Sequence, residues 1–107
     1  MTHLVRGRVY RARPTGFRTD KYFVVVSNNA RNRHLDSALV VRFTTTPKPA
    51  LPSIVGVPDH EVVPGGSIVC DDIYELFDDE VKADLGALSA PTMAAVGEGL
   101  KAALGLR

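Results

Sequence analysis

The sequence predicts a small, mainly β domain with a C-terminal α-helix, a partly open barrel closed by that helix. Two β-branched runs, Tyr22–Val26 and Ala38–Phe43, flank the polar connector Ser27–Ser37 and supply the apolar strands of a sheet core. Three further short pieces at Val5–Ala12, Ile54–Val57 and Ser67–Cys70 carry strand chemistry between Gly- and Pro-containing turns. A single stripe at helical period, Met93, Val96, Leu100 and Leu104, is confined to the C-terminal segment. At 107 residues the chain reads as one domain spanning 1–107.

Taken in order, Val5–Ala12 alternates V-R-G-R-V-Y-R-A, with Val5 and Val9 on one face and Arg6 and Arg8 on the other, as in a half-buried strand. Arg13–Asp20, RPTGFRTD, has the composition of a mobile loop; Phe17 within it is either a local packing anchor or a base-stacking group. Lys21–Ser27 and Ala38–Thr44 are the best-defined strands. The consecutive apolar residues Phe23–Val26 imply burial on both faces of the sheet. Pro47, Pro49 and Pro52 make Thr45–Pro52 an irregular crossing. Ile54–Val57 and Ser67–Cys70 are strands joined by a turn around Pro64-Gly65-Gly66, and Asp71-Asp72 leads into an extended piece, Ile73–Phe77. Asp78 reads as an N-cap, with Asp79 and Glu80 in the first turn and Gly86 closing a short helix. The last helix starts at Ser89, takes Pro91 into its first turn and ends at Gly105. Gly97 and Gly99 weaken that helix by roughly 1 kcal/mol each, a cost that predicts close backbone packing.

Hydrophobic content of 45% and charged content of 23% are ordinary for a soluble globular protein. No apolar run approaches the ~20 residues that span a bilayer, and the N-terminus lacks the apolar core of a secretory signal. One cysteine, Cys70, makes no internal disulfide and reads as a buried strand residue, so a cytoplasmic protein without membrane contact is expected. The net charge of +1 conceals an asymmetry: residues 1–48 hold ten basic and two acidic residues, net +8, and residues 49–107 hold three basic and ten acidic, net −7. Such halves either present a basic face to a polyanion or neutralise each other across the fold. Eight of the ten basic residues in the first half are Arg, the type suited to forked phosphate contacts.

His3, His34 and His60 are far apart, Cys70 stands alone and no HExxH-like or CxxC spacing occurs, so neither a metal site nor a cofactor is expected. Asp71-Asp72 is a solvated strand end, or one of the pair supports a cationic catalytic group or contacts a base edge. Pro64–Gly66 is a turn rather than a phosphate loop, and no Ser has a GxSxG setting. A cation-rich surface of strands and loops remains, an inventory that matches RNA cleavage by internal attack. The ribose 2′-hydroxyl is already beside the scissile phosphate. The protein then has to align it, remove its proton, neutralise the phosphorane and protonate the leaving 5′-oxygen. Lys21, at the start of one strand, and Thr44–Thr46, at the end of another, are expected to meet at one edge of the sheet.

GRVYRARP, then KYFVVVSNNARNR, then ALVVRFTTT, then LGALSAPTMAAVGEGLKAALGL, taken together, resemble the MazF/PemK toxins of bacterial toxin–antitoxin pairs. In that family the first strand reads roughly RGDVYW, the second R-P-x-V-V-x-S-N-D-x-x-N and the third V-x-x-x-P-L-T-S. The resemblance runs in order along almost the whole chain. It implies the SH3-like small barrel of the MazF/PemK/CcdB type, acting as a homodimer. It also implies metal-independent, sequence-selective cleavage of single-stranded RNA, leaving a 2′,3′-cyclic phosphate and a 5′-hydroxyl. The implied partner is a MazE-like antitoxin whose acidic, apolar tail occupies the RNA groove.

The family's catalytic Thr falls on Thr44 and its catalytic Arg on Lys21, a departure, since a Lys offers a point charge and a tunable pKa in place of a fork. Lys21 either moves a proton or only anchors phosphate while Arg13 or Arg18, in the preceding loop, acts. Asn28, Asn29 and Asn32 are turn residues or base-edge contacts. Arg31 and Arg33 divide between a phosphate contact and a structural pair. His34 is a surface residue or a general acid–base. Thr45 joins the RNA-binding set, although it and Thr46 also suit an exposed strand end. Two rival readings use the same barrel: a CcdB-like gyrase poison, against which the terminus lacks a Trp, and a non-catalytic RNA- or peptide-binding barrel.

Overall fold

The computed structural model describes residues 4–63 and 65–107, so the expectations on His3 and on Pro64 lie outside the described residues. Six strands form one antiparallel sheet: β1 (Arg8–Ala12), β2 (Lys21–Val25), β3 (Ala38–Thr44), β4 (Ile54–Gly56), β5 (Ser67–Leu76) and β6 (Val81–Ala87). Their order across the sheet is β4-β5-β3-β2-β1-β6. Helix α1 (Asn29–Leu35) links β2 to β3, and α2 (Ala90–Leu104) ends the chain.

The run Phe23–Val25 is fully buried, with successive residues serving opposite faces of the sheet. Val24, Val41, Phe43, Ile68 and Cys70 join Val96 of α2 in one core cluster. Tyr10, Ala12, Phe23, Val25, Val40 and Leu76 form a second cluster, with Phe17, Tyr74 and Val81 packed against it. Five strands contribute to that second cluster, so the sheet curls around it, and β4 and β6 remain its unpaired edges. Phe17 meets Phe23 and Tyr74 edge-on at centroid distances of 5.8 and 5.3 Å, which makes it the packing anchor of its loop.

Helix α2 starts at the Ser89 N-cap and stops at Gly105, in the left-handed region at φ 68°, as its sequence predicts. Gly99 explains its own presence: an added Cβ would lie 2.8 Å from Cys70 Sγ and 3.2 Å from Val55 Cγ2. Gly97 faces open space, so close packing accounts for only one of the two glycines. Cys70 is fully buried, and burial followed by the charge of Asp71 pushes its thiol up to about 11, far from a reactive thiolate.

Three sequence expectations are corrected. The segment from Asp78 to Gly86 is not a helix: a 3₁₀ turn at Asp78–Glu80 gives way to β6, because β1 needs a second pairing partner and Val81 packs on the inner cluster. Glu80 also ties this turn to the loop before β2, accepting from Thr15 N at 2.8 Å and from Phe77 N at 2.9 Å. The pieces Ser67–Cys70 and Ile73–Leu76 are one strand, β5, with Phe77 just beyond its end, and a register shift between Val41 and Arg42 of β3 absorbs Asp71-Asp72. The connector Ser27–Ser37 holds a helix rather than turns.

The N-terminus of α2 is anchored by Glu61, whose carboxylate is buried and accepts from Ser89 N at 3.0 Å, Thr92 Oγ1 at 2.6 Å and Ser89 Oγ. Burial raises the Glu61 pKa, but these hydrogen bonds and His60 Nε2 at 3.4 Å outweigh it and hold it below 4.5. A carboxylate with a lowered folded pKa stabilises fully above its unfolded value and loses that contribution as pH falls through the folded one. Glu61→Gln should therefore cost about 1–3 kcal/mol at neutral pH. It should also flatten the loss of stability below pH 4.5, measured by urea unfolding across pH.

Candidate functional site

The start of β2 and the end of β3 lie side by side. Tyr22 pairs with Phe43 in antiparallel register, which sets Lys21 opposite Thr44. Directly opposed residues share a face, with Cβ atoms about 4.5–5.5 Å apart. The structure brings together the two residues that the sequence expects to meet. They open onto a cleft of about 220 Å³ lined by Asp20, Lys21, Tyr22, Arg42 and Phe43–Thr46.

Each lining group has a defined state. Thr44 is 7% exposed, and its Oγ1 accepts from Thr46 N at 3.1 Å, so the hydroxyl proton is free to be donated into the cleft. That turn also orients Thr45 and Thr46 along the rim. Lys21 is half-buried and makes no ion pair among the described residues. Tyr22 is 37% exposed and braced edge-on against Phe43 at 6.2 Å. Asp20, the one carboxylate on the lining, is occupied by Arg13 Nε at 2.9 Å and Arg11 Nε at 3.6 Å.

The strand end is held from behind by Gly66, at φ 78°. A Cβ there would lie 2.4 Å from the Thr44 carbonyl oxygen and 3.3 Å from Thr45 Cα. Only glycine allows the chain before β5 to pass so close to Thr44.

The other expected site residues are placed differently. Arg13 sits beside the cleft in its ion pair with Asp20, and Arg18 is exposed in the same loop without an ion pair among the described residues. Helix α1 is at the far end of the strand pair, about 20 Å along the seven residues of β3. Asn28 is its N-cap, accepting from Arg31 N at 2.8 Å. Asn29 accepts from Arg6 N at 2.8 Å. Asn32 is fully buried: Oδ1 accepts from Ser27 Oγ at 2.5 Å and Nδ2 donates to Ser27 O at 3.2 Å. Arg31 donates to Ser37 O at 2.8 Å and lies 3.6 Å from Glu75. Asn32 thus spends both polar atoms on the fold, and Asn28 Oδ1 and Arg31 Nη1 serve it as well. Arg33 is exposed without an ion pair among the described residues, and His34 is exposed with Nδ1 at 2.9 Å from Ala30 O.

The opposite charges of the two chain halves meet at Arg8–Asp84, 3.0 Å, and Arg31–Glu75, 3.6 Å. Arg18, Lys21, Arg33, Arg42 and Lys48 stay outside any ion pair among the described residues, so a cationic surplus surrounds the cleft and its strand. Sequence reasoning passed over Arg42, Tyr22 and Asp20 as site residues. The β2–β3 register supplies the signal for Arg42, because residues i and i+2 of a strand share a face and Arg42 stands two before Thr44. Among the described residues no three His, Cys, Asp or Glu side chains gather as a metal site, and no helix is long and apolar enough to cross a membrane.

Comparisons with known proteins agree with one another. Residues 6–104 match the family of PemK-like, MazF-like toxins of type II toxin–antitoxin systems. The chain is 37% identical over 102 residues to the endoribonuclease MazF1 of Mycobacterium bovis and to the endoribonuclease MazF4 of Mycobacterium tuberculosis, covering 95% of this chain and 93% of each relative. Among solved structures it is similar to a mycobacterial endoribonuclease in complex with its cognate antitoxin, with a TM-score of 0.87, 36% identity and 96% of both chains covered. A MazE–MazF structure from Deinococcus radiodurans shares the fold at a TM-score of 0.77 and 23% identity over 96% of both chains.

Proposed function

The chain belongs to the family of PemK-like, MazF-like toxins of type II toxin–antitoxin systems, and from that membership we propose that it is an endoribonuclease toxin of bacterial cytoplasm. It cuts single-stranded RNA without a metal and is neutralised by a MazE-like antitoxin. The observation that carries this reading is the cleft itself, where a free cation and a free hydroxyl donor are fixed opposite each other on paired strands. Its mycobacterial relatives bear the name endoribonuclease, and one was solved with its cognate antitoxin.

The chemistry follows from the groups present. The phosphate at the scissile bond lies in the cleft with one non-bridging oxygen accepting from Thr44 Oγ1. The 2′-oxygen of the preceding ribose attacks phosphorus as its proton passes to solvent water, and the bond to the 5′-oxygen breaks as that oxygen gains a proton. The products are a 2′,3′-cyclic phosphate and a 5′-hydroxyl. Lys21 neutralises the growing phosphorane charge and supplies the proton to the leaving oxygen, its ammonium donating in a half-buried setting where electrostatic contacts are stronger than in water. Thr45 on the rim, Arg13 and Arg18 in the loop before β2, and the exposed Arg33 and Asn29 hold the flanking strand.

We take residues 1–107 as one toxin domain that works as a homodimer, and the antitoxin as an acidic, apolar segment that competes for the cationic cleft. The test is incubation of the purified chain with total RNA in EDTA over a range of ionic strength. Discrete fragments are expected at low salt. RNA that stays intact at every salt concentration would end the enzyme reading.

A further inference from the structure

We propose that Arg42 is a further catalytic residue, a guanidinium that contacts the same phosphate as Lys21 and Thr44. This rests on the endoribonuclease reading above. Arg42 is opposite Phe23 in the β2–β3 register and two residues before Thr44, so it shares the face of Lys21 and Thr44 and lines their cleft. A diagonal cross-strand separation of about 7–8 Å to Lys21 is within reach of such long side chains.

Its chemical state sets it apart from the paired arginines, and its buried nitrogen from the exposed cations. Arg8, Arg11, Arg13 and Arg31 are each paired with a carboxylate, whereas Arg42 has no ion pair among the described residues. Its Nε is buried without a hydrogen-bond partner, the only buried side-chain nitrogen or oxygen in that condition among the described residues. A buried guanidinium nitrogen without an acceptor is costly. The side chain lines the cleft, where a planar guanidinium fork suits the two non-bridging oxygens of an incoming phosphate. Lys21 offers only a point charge at this site, so Arg42 provides the forked contact that the cleft otherwise lacks.

The proposal separates catalysis from packing through Arg42→Met, which keeps an unbranched stem beside Phe23 and removes the unpaired nitrogen. Thermal unfolding should show this variant at least as stable as the wild type, while kcat falls about 10²-fold with a smaller change in KM. Arg42→Lys, retaining charge without the fork, should recover only part of that loss. Binding of an RNA oligonucleotide made uncleavable by 2′-deoxy substitution should lose about 0.7 from the slope of log affinity against log salt in Arg42→Met, the signature of one lost phosphate contact on a single strand. A Met variant with wild-type kcat and an unchanged salt slope would overturn the assignment. An unfolded Met variant would do so too, by showing that the residue serves the fold. A wild-type chain that binds RNA without cutting it would refute the enzyme reading, and the salt slope would still report the phosphate contact.

Discussion

Lys21→Ala and Thr44→Val should each slow RNA cleavage by about 10²–10³-fold, the usual loss when one donor to a developing oxyanion is removed. Both variants should remain folded. Lys21 is half-buried and makes no ion pair among the described residues, so its truncation breaks no salt bridge there. Thr44→Val keeps the shape of a buried side chain and loses one hydrogen bond, from Thr46 N, worth about 1 kcal/mol. The measurement is single-turnover cleavage of a labelled oligonucleotide beside urea unfolding. The double variant should be little slower than either single one, because groups acting on one transition state lose their effect together. Lys21→Arg separates the two roles proposed for Lys21. A guanidinium that restores cleavage makes Lys21 an electrostatic clamp, and one that leaves it slow makes it the proton donor, since Arg does not give up its proton.

Gly66→Ala should destabilise the protein by about 2 kcal/mol or more and disable the cleft from a position that touches no substrate. The residue combines a left-handed φ of 78° with a Cβ that would press on the backbone of Thr44 and Thr45, where no flexible side-chain end can move aside. Gly65 provides the internal control. It has nearly the same φ, 76°, but nothing within 4 Å of an added Cβ, so Gly65→Ala should cost only the conformational term of about 1–2 kcal/mol. The two variants should therefore differ in urea midpoint. At a temperature where both are folded, only Gly66→Ala should show reduced cleavage, because a small displacement of Thr44 from alignment is enough to slow the reaction. Equal stability and equal activity of the pair would show that the close approach behind Thr44 does not matter.

Much of this was legible in the chain. The Phe23–Val26 run announced a sheet buried on both faces, and the Ser89–Pro91 start and Gly105 stop bounded α2 by capping chemistry alone. Lys21 and Thr44 could be paired because two well-marked strands of known ends form a hairpin-like unit. Helix α1 was not legible as a helix because it has no apolar face: its one buried residue is Asn32, and side-chain hydrogen bonds at Ser27, Asn28 and Ser37 hold it. The acidic run at Asp78–Glu80 looked like a helix start because the same residues cap a 3₁₀ turn, and the vacant edge of β1 then drew Val81–Ala87 into the sheet. Arg42 was hidden by its company, one cation within an apolar strand. Only the β2–β3 register and the absence of a partner for its Nε mark it.

The most direct test of the central claim, that the substrate's own ribose performs the cut in a cleft built by Lys21 and Thr44, uses an RNA oligonucleotide with a 2′-deoxyribose on the 5′ side of the cleaved bond. In EDTA the unmodified strand should yield a 2′,3′-cyclic phosphate and a 5′-hydroxyl, and the substituted strand should bind as tightly yet stay intact at that bond. Cleavage of the substituted strand at the unmodified rate would contradict the account.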